Sequence, residues 1–98
     1  MAANDPLSAA KAGGRHARFY VEYAKKSDAE IRRGIKSLQK QITEHERKIM
    51  NPERYVPDFE SLDPRERKAL VETKWPDDII RQQEQKSILE GILTERML

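Results

Sequence analysis

The chain has 98 residues, no cysteine and a formal net charge of +2, which bounds it to a single domain and excludes disulfides and thiolate metal sites. Apolar and charged residues each make up 37%, no stretch approaches the ~18 apolar residues of a membrane span, and the N-terminus lacks the layout of a signal peptide, so no membrane insertion is expected. The charge is uneven: residues 1–49 hold eleven Lys/Arg against six Asp/Glu and residues 50–98 hold eight against eleven, so the N-terminal half could attract phosphates.

Asp5-Pro6 reads as an N-cap followed by proline at the first helical position, opening a short helix to about Lys11. Gly13-Gly14 breaks it, and a second helical run follows from about Arg15 to Lys26. Residues 1–12 are expected to be a flexible or junction segment, and 13–98 a single helical domain. Ser27-Asp28-Ala29-Glu30 fits a capping box and starts a long helix that Asn51-Pro52 stops at about Met50. Residues 51–62 form a loop in which Tyr55, Val56 and Phe59 are apolar enough to lie across the helices. Asp63-Pro64-Arg65-Glu66 repeats the cap signal and predicts a short helix to about Lys74. Trp75-Pro76-Asp77-Asp78 then starts the last helix, with two acids where the helix dipole favours them. Its apolar face is Ile88, Leu89, Ile92, Leu93 and Met97. No strand pattern appears. The expected fold is all-α: a small bundle with two long antiparallel helices, about 28–50 and 76–97, and shorter helices packed around them.

Both histidines fall on apolar stripes. Residues 31 to 49 carry Ile31, Ile35, Leu38, Ile42, His45 and Ile49, a coiled-coil-like seam with one position given to imidazole. His16, Phe19, Tyr20 and Tyr23 repeat the pattern nearer the N-terminus. The last helix has no apolar residue between Ile80 and Ile88. If the two long helices pack antiparallel, this polar stretch faces His45, which predicts a cluster of His45, Glu44, Asp78, Arg81 and Gln85, with His16 joining if its helix packs at that end. A histidine with a carboxylate can perform acid–base chemistry near neutral pH, and an arginine beside it can stabilise a phosphoryl transition state. A seam histidine can equally be a satisfied core residue that sets register. The aromatic stripe reads as core rather than a base-stacking platform, and Trp75 as a cap anchor or a pocket wall. Gly13-Gly14-Arg15-His16 could cradle an anion or simply break a helix. No metal-ligand motif is present, and no cofactor is expected.

Several fragments together carry a resemblance: Gly13-Gly14-Arg15-His16-Ala17-Arg18-Phe19, the run from Glu30-Ile31 through His45 to Lys48-Ile49, Asn51-Pro52-Glu53-Arg54-Tyr55, and Lys74-Trp75-Pro76-Asp77-Asp78-Ile79 continuing through Arg81, Gln85 and Ile88 to Gly91-Ile92-Leu93. The pattern resembles a small domain at the C-terminus of bacterial polymorphic-toxin proteins with Rhs-repeat or filamentous-haemagglutinin-like carriers. The resemblance implies an antibacterial toxin tip, secreted as part of a larger upstream carrier, acting in the target-cell cytoplasm and neutralised by a cognate immunity protein. It supplies no reaction.

The leading expectation is therefore a toxin domain that is a metal-independent nuclease acting on RNA, a nucleic-acid partner consistent with the basic half. His16, His45, Asp78 and Arg81 are the catalytic candidates. Arg15, Arg18, Glu44, Trp75 and Gln85 are the substrate-binding candidates. The alternative is a non-enzymatic, cytoplasmic helical interaction module such as an adaptor, chaperone or immunity-like partner.

Overall fold

Each of the three side-chain caps expected from the sequence closes in the computed structural model, which describes residues 5–98. Asp5 accepts a hydrogen bond from the Ser8 N–H at 2.8 Å and opens α1 (Pro6–Lys11). After the Gly-Gly turn comes α2 (Ala17–Ala24). Ser27 accepts from the Glu30 N–H at 3.2 Å and opens α3 (Asp28–Met50), which ends where Asn51-Pro52 was expected to stop it. The Glu30 carboxylate accepts from the Ser27 hydroxyl, so the acid of the capping box engages the side chain of the cap. A single turn, α4 (Pro52–Tyr55), and a 3-10 turn at Phe59–Ser61 make up most of the loop, which tucks Phe59 into the interior while Tyr55 stays exposed. Asp63 accepts from the Arg65 N–H at 2.8 Å and opens α5 (Pro64–Ala69).

The break expected at Trp75-Pro76 does not occur. α5 continues through a π-helical turn (Leu70–Lys74) into α6 (Trp75–Arg96), making one 33-residue helical rod. Proline lacks an N–H and its ring clashes with the carbonyl four residues back, which normally ends a helix. Here the Trp75 N–H reaches five residues back to the Leu70 carbonyl, and the wider turn absorbs the irregularity just ahead of Pro76. Trp75 is consequently not a cap anchor but a side chain in mid-rod, only 4% exposed. At ~1.5 Å per residue a rod of this length spans roughly 50 Å, and the molecule measures 52 × 26 × 21 Å.

α3 packs along this rod. Cross-helix pairs join Asp28 to Arg96, Gln39 to Lys86, Gln41 to Gln82 and His45 to Asp78. As numbers rise along α3 they fall along α6, so the two helices run in opposite directions over this stretch. The core between them is Ile31 and Leu38 against Ile88, Leu89 and Ile92, joined by Ala10 from α1. Leu7, Phe19, Tyr20, Tyr23, Ile35 and Leu93 pack around it, so the aromatic stripe of α2 belongs to the core. Met97, expected on the apolar face, is exposed. Within the expected junction segment, Leu7 and Ala10 of α1 dock on the bundle, while residues 1–4 lie outside the described residues.

Two features lock the short helices to the long ones. Arg96 pairs with Asp28 at 2.6 Å and donates to the carbonyls of Ala24 and Lys26 at 3.0 and 2.8 Å, satisfying acceptors left open beyond the end of α2. Gly34 lies where α2 and α6 both press on α3. A Cβ there would come within 2.9 Å of Leu89 Cδ1 and 3.0 Å of Tyr23 Cε1. Gly→Ala on an exposed helix face gains about 1 kcal/mol. Gly34→Ala should instead destabilise by about 1 kcal/mol or more, because overpacking outweighs propensity. Thermal melts check this: an unchanged or higher midpoint would show that Leu89 and Tyr23 yield freely.

Candidate functional site: two histidine–carboxylate clasps on the last helix

The polar stretch of α6 sends its side chains to two different neighbours. Asp78 meets His45 on α3, with Nε2 to Oδ2 at 3.4 Å. Glu84 meets the segment before α2: the His16 Nε2 lies 3.0 Å and the Arg15 Nε 2.6 Å from the same Oε1. Six residues of helix turn through about 600° and rise about 9 Å. Asp78 and Glu84 therefore face different directions, and so do the histidines they hold. His16 does not join the His45 level of the bundle.

Around His45 the structure brings together three of the five residues expected there. The imidazole Nδ1 donates to the Gln41 carbonyl at 2.9 Å; a carbonyl can only accept, so this nitrogen carries the proton. Nε2 faces the Asp78 carboxylate, with which it pairs only when the ring is doubly protonated. Asp78 also lies 3.5 Å from Lys74 Nζ and 3.6 Å from an Arg81 guanidinium nitrogen. The His45 and Asp78 side chains are 17% and 23% exposed, which describes a clasp at the edge of the helix interface. Glu44 is exposed and Gln85 half-buried; neither contributes a side-chain hydrogen bond or ion pair among the described residues. Arg18 is likewise an exposed side chain outside both clasps.

His16 is held more tightly. Its backbone has φ 65, the left-handed region, which histidine visits more readily than most residues but still at a cost. Its side chain is only 10% exposed and meets the Phe19 ring edge-on at 6.5 Å between centroids. Gly13, also in the left-handed region at φ 87, turns the chain into this position, where glycine carries no steric penalty. Hydrogen bonding from His16, then from Arg15, holds the Glu84 carboxyl below the usual glutamate range.

One central residue was not anticipated. Gln82 is 2% exposed. Its amide nitrogen donates to Gln41 Oε1 at 3.3 Å, while its own amide oxygen is buried without a partner. The signal was spacing: Gln82 lies seven residues after Trp75 and seven before Leu89, both buried. It occupies a seam position, inside what read as a gap in the stripe.

The outward side of α3 is the other organised polar feature. At about 100° per residue, Arg33, Lys36, Lys40 and Arg47 project away from the stripe that faces α6. Arg33, Lys36, Ser37 and Lys40 line a shallow surface depression. Among the described residues no His, Asp or Glu cluster has the makings of a metal site, and no helix is long and apolar enough to cross a membrane. No protein-family description, curated protein or solved structure is significantly similar to the chain.

The Glu84 clasp carries a pH signature. A carboxyl whose folded value is depressed adds stability that is fully present above its unfolded value, near 4.5, and is lost as pH falls through the folded value. Urea midpoints of the natural protein and Glu84→Gln should therefore differ most at pH 6–7 and converge as the pH drops toward ~3. A gap that stays constant over that range would show that Glu84 ionisation contributes nothing.

Proposed function

We propose that this domain is a helical interaction module that works by binding rather than by histidine catalysis. The observation that carries this reading is the separation of the two histidines. His45 Nδ1 donates to the Gln41 carbonyl, and its Nε2 lies 3.4 Å from Asp78 Oδ2, an ion pair that forms only when the ring is doubly protonated. His16 is nearly enclosed and spends its Nε2 on Glu84. A two-histidine mechanism needs both rings at one reacting bond, and the carboxylates that hold them face different sides of α6. Both clasps act as packing devices: one sets α3 against α6, the other fastens the Gly-Gly segment to α6. What remains for function is the surface, which a molecule measuring 52 × 26 × 21 Å has in abundance.

A second reading is the antibacterial toxin tip, carried on a larger protein and restrained by an immunity protein. The resemblance motivates it, and two of its fragments include points where this backbone departs from plain helix. Gly13 and His16 are left-handed, and Trp75-Pro76 follows the π turn. The toxin reading concerns where the domain acts, and a toxin tip that works by binding satisfies both readings. The metal-independent RNA nuclease that uses both histidines is the version that their separation disfavours.

Three measurements separate these. On the binding reading, mixed-sequence RNA and duplex DNA incubated with the purified domain stay intact. His45→Leu keeps or raises thermal stability, since replacing a partly buried ion pair by an apolar side chain is often neutral or stabilising. RNA cleavage that disappears in His45→Ala, at equal folded yield, would replace this reading with the nuclease. Arrest of bacterial growth on induced expression, with RNA and DNA intact, would support the toxin placement without catalysis.

A further inference from the structure

We infer that the outward face of α3 is a docking surface for the sugar-phosphate backbone of a nucleic acid. The inference rests on the binding reading above and names its partner. Arg33, Lys36 and Lys40 recur once per helical turn on the side away from α6, with Arg32 on the flank, and all four are exposed. No carboxylate lies within ion-pair distance of any of them among the described residues. The nearest acids at the start of the helix are committed elsewhere: Asp28 to Arg96 and Glu30 to Lys26. Glu44 closes the run toward the C-terminal end, with Arg47 beyond it.

The composition of this face decides between a protein and a nucleic acid. Stable protein interfaces are centred on buried aromatic or apolar anchors and are depleted in lysine. Between Arg33 and Lys40 the outward face offers no aromatic or large apolar side chain; its one small residue is Ser37. A phosphate backbone asks for cations and hydroxyl donors and nothing else. Ser37 accepts a hydrogen bond from the Gln41 amide at 3.4 Å, which leaves its own hydroxyl hydrogen to donate to a phosphate. The depression lined by Arg33, Lys36, Ser37 and Lys40 gives one phosphate a seat among three cations. Successive cations lie about 4.5 and 6 Å apart along the axis, so one extended run of backbone charges can meet all of them. Because the face carries no aromatic platform and its cations are spaced for phosphates, backbone contacts should dominate and binding should depend little on sequence.

The test is fluorescence anisotropy with the full chain and two labelled probes, a 20-nucleotide mixed-sequence RNA single strand and a 20-base-pair DNA duplex. With three to four phosphates neutralised, log affinity should fall with log salt at a slope of roughly −2 to −4. That is a loss of roughly 15- to 250-fold between 50 and 200 mM. Lys36→Gln with Lys40→Gln should flatten the slope by about 1.5. Lys36→Glu with Lys40→Glu should weaken binding at least tenfold at 50 mM, with unchanged melting. Binding of one probe over the other tells RNA from DNA, and either supports the inference. No binding at 25 mM salt, binding that survives the charge reversal, or equally tight binding of poly-glutamate would overturn it. Gel analysis of the same RNA separates the two proposals: cut RNA refutes the non-enzymatic reading, whereas intact RNA with absent or variant-independent binding refutes the α3 face.

Discussion

The seam between α3 and the C-terminal rod is the constraint on which the other contacts depend. It is neither purely apolar nor purely polar. Ile31, Leu38, Ile42, Ile88, Leu89 and Ile92 are buried along it, which supplies most of the driving force. Hydrophobic contact alone tolerates sliding. The pairs Asp28–Arg96, Gln39–Lys86, Gln41–Gln82 and His45–Asp78 do not. A shifted register would leave Gln82 without even its one bond, and an unpaired buried polar group costs roughly 1–3 kcal/mol. The polar residues thus select one alignment from several that the apolar stripe would accept. α1, α2 and the Arg96 fork are positioned only once that alignment exists.

The two histidines occupy comparable settings. Each joins a carboxylate on α6 to a different part of the chain, and each sits where a purely apolar side chain would pack without direction. The Glu84 clasp also anchors the left-handed turn at His16. The inward chemistry of the domain is largely consumed in specifying its shape. Its unspent chemistry lies outward, on the cationic side of α3, which the fold presents on a stiff helix whose far side is fixed against the rod.

The caps show how much local structure was legible. Asp5, Ser27 and Asp63 each accept an N–H from the first turn of the helix they open, because a cap depends on two to four neighbouring residues and little else. The Trp75-Pro76 signal fails for the complementary reason. As a local pattern it matches a helix start, but burying Trp75 at the interface favours keeping the rod intact, and a π turn is the small distortion that permits it. Sequence reasoning placed His45 with Asp78 and Arg81 because all three lie on two helices whose register the apolar stripe implies. It could not place His16, whose short helix reaches the bundle through a Gly-Gly turn.

The sequence by itself determined that the chain is helical, where α3 begins and ends, and that His45 would meet a polar stretch of the last helix. These depend on periodicity and capping, which act over a few residues. Only the tertiary structure decided that α5 and α6 are one rod, that Gln82 is buried, and that Glu84 rather than Asp78 receives His16. It also decided that each histidine faces a different carboxylate of α6. These depend on which free energy wins when helices compete for the same space, and that comparison exists only once the helices have met.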